Sequence, residues 1–125
     1  FFKVPDNVTD TMVVSANCAL AQVVMGLERV DVSLGDQVVV QGCGGLGLYA
    51  CAVAKERGAA QVIAIDGIDE RLSMAERMGA DHVIDFRKLA DAKQRVEAVK
   101  DLTGGWGADV VVEVVGFASV INEGL

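Results

Sequence analysis

The stretch Val38-Val39-Val40-Gln41-Gly42-Cys43-Gly44-Gly45-Leu46-Gly47 decides the fold. Three β-branched residues run into Gly-x-Gly-x-x-Gly, and a helical pattern follows from Gly45 to Arg57 until Gly58 stops it. A strand, a glycine turn and a helix in that order make a seat for the pyrophosphate of a dinucleotide. Gly42 permits the tight turn, Gly44 lets the backbone approach the phosphates, and Gly47 lets the helix lie close on the strand. The helix then points its free N–H groups and positive dipole end at the phosphates. The order carries the inference, since a glycine cluster alone marks any turn.

Working outward, Ser33-Leu34-Gly35-Asp36 is a turn into a first strand, Gln37–Gln41. A second strand spans Val62–Ile65, a helix Asp69–Met78 is stopped by Gly79, and His82–Ile84 makes a short third strand. Asp91–Leu102 is a charged amphipathic helix, 103–107 a glycine-rich loop, Asp109–Val115 a fourth strand broken by Gly116, and Ala118–Leu125 the start of another helix. Upstream, Phe1 to Asn7 reads as an extended lead-in. Thr9 to about Val30 reads as one helix, capped by Thr11 or Asp10, with Ala16, Ala19, Leu20, Val23, Val24 and Leu27 at helical spacing.

Strands alternating with helices predict an α/β fold, a Rossmann-type parallel sheet with helices on both faces. A full sheet of this type has about six strands in the order 3-2-1-4-5-6. This sequence supplies four, so residues 1–125 read as one incomplete dinucleotide-binding domain. The fourth strand becomes an apolar, β-branched edge, which predicts self-association.

Composition excludes several classes. The 125 residues are 52% hydrophobic, in short β-branched runs suited to strands covered on both faces. A net charge of −7 argues against nucleic acid and anionic membrane as partners, which need a basic face. Backbone amides can hold two phosphates without one. Three cysteines at irregular spacing (Cys18, Cys43, Cys51) fit a reducing cytoplasm better than a disulfide framework. No signal peptide is recognisable. The longest apolar-looking stretch, Met12 to Leu27, is interrupted by Ser15, Asn17 and Gln22, so no run is expected to cross a bilayer.

Asp66 ends the second strand nineteen positions after Gly47. An acid at about that distance grips the adenosine ribose hydroxyls. A 2′-phosphate there would meet a negative charge, so NAD is favoured over NADP. Arg71, on the first turn of the next helix, is within reach of the same ribose.

The chain resembles the coenzyme domain of the medium-chain, zinc-type alcohol dehydrogenases. The resemblance runs through Cys18-Ala19-Leu20-Ala21, Leu34–Val40, Gly42–Gly47, Ala54–Ala59, Met78–Asp85 and Gly104–Gly116. It implies that Gly42, Gly44, Gly45 and Gly47 form the pyrophosphate loop and that Leu46 backs the nicotinamide ring. It implies Asp66 and Arg71 at the ribose, and Val114, Val115 and Gly116 where the cofactor crosses the sheet edge. It implies Cys18 as one ligand of a catalytic zinc in a full-length parent, the other two coming from a catalytic domain that lies outside this sequence. On this reading the parent passes a hydride between an alcohol or polyol and NAD, with zinc polarising the oxygen, while these residues bind cofactor and have no catalytic residue of their own.

Three alternatives stand beside it, one of them a non-catalytic binding or structural module. A zinc-free quinone or enoyl reductase of the same superfamily generally prefers NADP, which Asp66 disfavours. An S-adenosylmethionine methyltransferase usually carries an acid before the first glycine, where this chain has Gln41. His82, Cys43 and Cys51 lack neighbours in sequence that suggest chemistry and read as structural.

Overall fold

The computed structural model describes residues 3–124. Four strands, β1 (Gln37–Gln41), β2 (Gln61–Asp66), β3 (His82–Asp85) and β4 (Val110–Glu113), form one parallel sheet in the order β3-β2-β1-β4. Val39 of β1 is in register with Ile63 of β2 and Val111 of β4, and Ile65 with Ile84 of β3. The helices are α1 (Asp10–Val13), α2 (Ala21–Arg29), α3 (Gly45–Glu56), α4 (Asp69–Arg77), α5 (Ala92–Leu102) and α6 (Ala118–Ile121), with a π-helical turn at Ala16–Leu20 between α1 and α2. The predicted α/β architecture, with helices on both faces, is the observed one.

Side-chain alternation along the strands splits the interior in two. Val38 and Val40 of β1, with Val62 and Ala64 of β2, pack on one face with Val23 and Leu27 of α2, Ala50, Cys51 and Ala54 of α3, and Leu72 and Ala75 of α4. Val39, Ile63, Ile65 and Ile84 face the other way, onto Val99 of α5. Val38, Val40, Val62 and Ile63 are wholly buried, each contributing about 1.5–3 kcal/mol relative to exposure. The buried stripe of α3 is Gly47, Ala50, Cys51 and Ala54. Small side chains let this helix press onto β1 and β2.

Three expectations need correction. First, Thr9 to Val30 is not one α-helix. Thr9 is the cap, its Oγ1 accepting the Met12 N–H at 3.4 Å. After α1 the chain turns at Val14 and Ser15 and widens into the π-helical turn. Ser15 shares a 2.5 Å hydrogen bond with the Tyr49 hydroxyl of α3, so a tertiary contact sets the break. Second, the run Asp10–Arg29, taken through that turn, is 20 residues long with mean hydropathy 1.3, long and apolar enough to cross a membrane by those measures. Val23 and Leu27 pack it against the domain, while Met12, Val14 and Met25 stay exposed. Third, β4 ends at Glu113 rather than Val115. The Val114 N–H still reaches the Gln41 carbonyl at 3.0 Å. The Glu113 carboxylate then takes the N–H groups of Val115 (2.7 Å) and Gly116 (2.9 Å), which turns the backbone out of the ladder.

Candidate dinucleotide site at the strand ends

The C-terminal ends of all four strands open onto one groove of about 780 Å³. Gly42 and Gly44 follow β1, Gly67 and Ile68 follow β2, Phe86 and Arg87 follow β3, and Val114 and Val115 follow β4. Open parallel sheets bind ligands outside the carboxyl ends of their strands, at the point where the strand order reverses. Here that point lies between β1 and β4.

The three motif glycines have separate physical roles. Gly42 has φ +93°, and a Cβ on it would lie 2.9 Å from Val115 Cγ2. At Gly47 a Cβ would lie 1.8 Å from the Gly42 carbonyl oxygen, so only glycine lets α3 sit this close to the turn. At Gly44 and Gly45 a Cβ would meet nothing within 4 Å. Their freedom is therefore not needed by the protein's own packing and leaves space against the backbone. Gly44 is the N-cap of α3 without a side-chain cap, and the Leu48 N–H is the first to find a helical partner, the Gly44 carbonyl at 2.9 Å. The N–H groups before it face the open end of the helix.

Asp66 is only 5% exposed. Its Oδ2 accepts the Cys43 N–H at 2.7 Å, and its Oδ1 accepts those of Gly67 (2.7 Å) and Ile68 (3.0 Å). Arg71, half exposed on α4, stands with Nη1 3.7 Å from Oδ2. The two predicted ribose residues are thus adjacent, and the carboxylate also fastens the glycine turn to the end of β2. Capacity remains for about one further hydrogen bond at a carboxylate already accepting three.

Of the predicted site residues, Gly42, Gly44, Asp66, Arg71, Val114 and Val115 line the groove. Gly45 and Gly47 lie in the first turn of α3 and Gly116 just beyond β4. Leu46 faces elsewhere, into an apolar recess of about 320 Å³ shared with Val23, Leu27 and Val30 of the α2 region and with β4. Cys18 is exposed on the π-helical turn, with Gln22 Nε2 3.7 Å from its sulfur. Among the described residues no group of three His, Cys, Asp or Glu is arranged to hold a metal ion. Cys43 and Cys51 are wholly buried. Burial, and for Cys43 the neighbouring Cys51 and Asp66, pushes their thiols up to about 12 and about 11, which makes both inert.

Sequence reasoning missed Gln41, Phe86, Arg87 and Arg95. Arg87 is held by Asp85 and Asp69, and its side-chain hydrogen bonds, ahead of its backbone N–H and its charge, keep the Asp85 carboxyl down at about 2. Arg95 of α5 is largely buried, with Nε on Glu123 Oε2 (2.8 Å) and Nη1 on the Leu89 and Ala90 carbonyls (2.6 and 2.8 Å). It clamps the segment after β4 over the groove. A second cavity, of about 230 Å³, lies behind the groove between α5 and β4, walled by Gln41 and Arg95 and, further off, by Trp106.

Comparison with known proteins agrees with this geometry. Residues 45–125 match the family model described as zinc-binding dehydrogenase. An alcohol dehydrogenase of Cupriavidus necator is 38% identical over 98% of the chain and 32% of its own length. The crystal structure of an alcohol dehydrogenase from Thermotoga maritima superposes with a TM-score of 0.90 at 33% identity, over 98% of this chain and 34% of that one. The mycobacterial protein Rv1454c, solved as an NADPH complex, gives 0.84 at 35% identity, over 94% of this chain and 36% of that one. The chain spans about a third of the length of these relatives. It belongs to the zinc-binding dehydrogenase family of medium-chain alcohol dehydrogenases and corresponds to part of their cofactor-binding region.

Proposed function

We propose that this chain is the dinucleotide-binding unit of a zinc-type alcohol or polyol dehydrogenase and that it holds NAD in the groove at the strand ends. The open face of Gly44, where a Cβ would meet nothing within 4 Å beside a groove walled by all four strand ends, carries the reading. The pyrophosphate would lie on the N–H groups that open α3, and the adenosine ribose at Asp66 and Arg71. Nicotinamide supplies hydride chemistry when bound, and the residues of this chain hold and orient it. Val114, Val115 and Gly116 would border the path of the cofactor toward the nicotinamide. Leu46, turned into the recess beside β4, would back the ring where the cofactor passes Val114 into that recess.

Zinc in the whole protein would take the exposed Cys18 as one ligand and two further ligands from outside these residues, since one thiolate does not make a site. An alcohol substrate would then bind outside this chain as well. Three free cysteines support a reducing, cytoplasmic setting. Among the described residues β4 pairs on one side only, and its Val110, Val111 and Val112 support self-association of the chain. Light scattering that shows a monomer across the whole accessible concentration range would refute that association.

A second reading, a zinc-free NADP-dependent reductase, draws support from Arg71 and Arg87 beside the ribose end of the groove. Calorimetric titration with NAD, NADP and S-adenosylmethionine separates the readings. NAD is expected to bind at least about tenfold more tightly than NADP, the scale of one lost charged contact. Tighter NADP binding would favour the reductase, and binding of the methyl donor without either dinucleotide would remove both.

A further inference from the structure

The turn from β1 into α3, Gly42–Gly47, has glycine at four of its six positions and so few side chains with which to hold itself in place. On the β2 side it is tied by hydrogen bonds, the Gly42 N–H to the Ile65 carbonyl at 2.8 Å and the Cys43 N–H to Asp66 Oδ2 at 2.7 Å. On the β4 side the Val114 N–H reaches the Gln41 carbonyl at 3.0 Å, and beyond that bond the turn meets the chain by packing. A Cβ on Gly42 would lie 3.2 Å from the Val114 carbonyl carbon and from the Val115 nitrogen, and one on Gly47 would lie 3.4 Å from Val114 Cγ2. Val114 and the Val115 nitrogen are thus the wall on which the turn rests.

Glu113 decides where that wall stands. Its Oε1 accepts the N–H groups of both Val115 (2.7 Å) and Gly116 (2.9 Å), and hydrogen bonds to an ionised carboxylate are stronger than neutral ones. Glu113 borders the recess that Leu46 shares, while the groove is walled by Val114 and Val115. Val115 and Gly116 are exposed, so water can take their N–H groups if the carboxylate is removed. The two bonds therefore place residues 114–116 more than they stabilise the fold. We propose that Glu113 is a positioning residue for the dinucleotide. By holding Val115 and Gly116 it sets the backbone wall against Gly42 and Gly47, and so fixes from the β4 side the turn that Asp66 fixes from the β2 side. This rests on the dinucleotide reading above and deepens it, since pyrophosphate affinity then depends on a carboxylate outside the groove wall.

The test is calorimetric titration of wild type, Glu113→Gln and Glu113→Ala with NAD and with ADP-ribose, which carries the pyrophosphate without nicotinamide. Glu113→Gln keeps an acceptor at Oε1 and is expected to bind both ligands within about threefold of wild type. Glu113→Ala is expected to weaken both about tenfold, the scale of one charged hydrogen bond, at an unchanged unfolding midpoint. It is also expected to shift the Gly44 and Gly45 amide resonances of the ligand-free chain, which Glu113→Gln leaves in place. Undiminished ADP-ribose affinity, or unmoved Gly44 and Gly45 resonances, in Glu113→Ala overturns the assignment while the dinucleotide reading stands. An equal loss in Glu113→Gln does the same, because it traces the effect to charge rather than to the two bonds. A Glu113→Ala chain that fails to fold also overturns it, in favour of a role in folding. Failure of the wild type to bind either ligand overturns both.

Discussion

The backbone N–H of Cys43, inside the glycine turn, lies 2.7 Å from Asp66 Oδ2 at the end of the neighbouring strand. An acid chosen from sequence for its place beside a ribose therefore also holds the phosphate turn in shape. In Asp66→Asn the amide oxygen can keep Gly67 and Ile68, but the –NH2 then opposes the Cys43 N–H. The variant is expected to lose about 1–3 kcal/mol in denaturant unfolding, along with dinucleotide affinity. Lost affinity at unchanged stability would show that the ribose is the only partner that matters.

Glycine substitutions separate packing from binding. Gly47→Ala places a methyl 1.8 Å from the Gly42 carbonyl oxygen and is expected to cost more than about 3 kcal/mol, beyond ordinary overpacking, or to prevent folding. Gly44→Ala has φ −72° and open space around its Cβ. It is expected to leave the unfolding midpoint unchanged and to weaken NAD at least about tenfold, through loss of close backbone approach. Circular dichroism melts together with calorimetry read both.

Thiol chemistry checks the arrangement of the π-helical turn. One cysteine, Cys18, is expected to react rapidly with Ellman's reagent at pH 8, and the two buried ones only on unfolding. Tyr49→Phe removes the partner of Ser15. It is expected to cost about 0.5–1.5 kcal/mol and to speed amide exchange in residues 16–20 above that in α3. Uniform exchange across both segments would deny that Ser15–Tyr49 sets the break.

Asp81 predicts part of the acid response. Burial opposes its charge, but the Val62 N–H (2.7 Å) and Lys55 (2.9 Å) outweigh it and hold the carboxyl below 3.8. A carboxyl depressed in the folded state stabilises above its unfolded value, and that contribution disappears as pH falls through the folded one. Asp81→Asn is expected to lower stability at pH 7 and to flatten the stability profile below about pH 4. An unchanged slope in urea titrations between pH 5 and 3 would contradict this.

Much of the fold was legible because local signals agreed with one another. Val38–Val40 into Gly42 and Gly47, the glycine stops at Gly58 and Gly79, and Asp66 at its spacing all describe the same βαβ unit. The breaks in the pattern came from side chains distant in sequence or from local capture of the backbone. Tyr49 interrupts the first helical run by bonding Ser15, thirty-four residues away, and Glu113 ends β4 by taking two N–H groups that periodicity assigned to the ladder. Leu46 has the apolar character expected beneath a ring, but only packing decides that it turns toward α2 and β4. Gln41 did carry a sequence signal, a polar residue inside a β-branched run at the mouth of the turn. That its Oε1 is buried without a hydrogen-bond donor needed coordinates.

Trp106, the single tryptophan, donates its indole N–H to Asp109 Oδ1 at 3.1 Å, and Asp109 Oδ2 accepts the Gln37 N–H that starts β1. The natural fluorophore is thus wired to the seam between β1 and β4, at the end of the strands opposite the glycine turn. Its emission is an optical gauge of that seam, suited to following β1 and the edge strand β4 as they part during unfolding. Occupancy of the groove lies at the far end of the same strands and is better read by heat than by light.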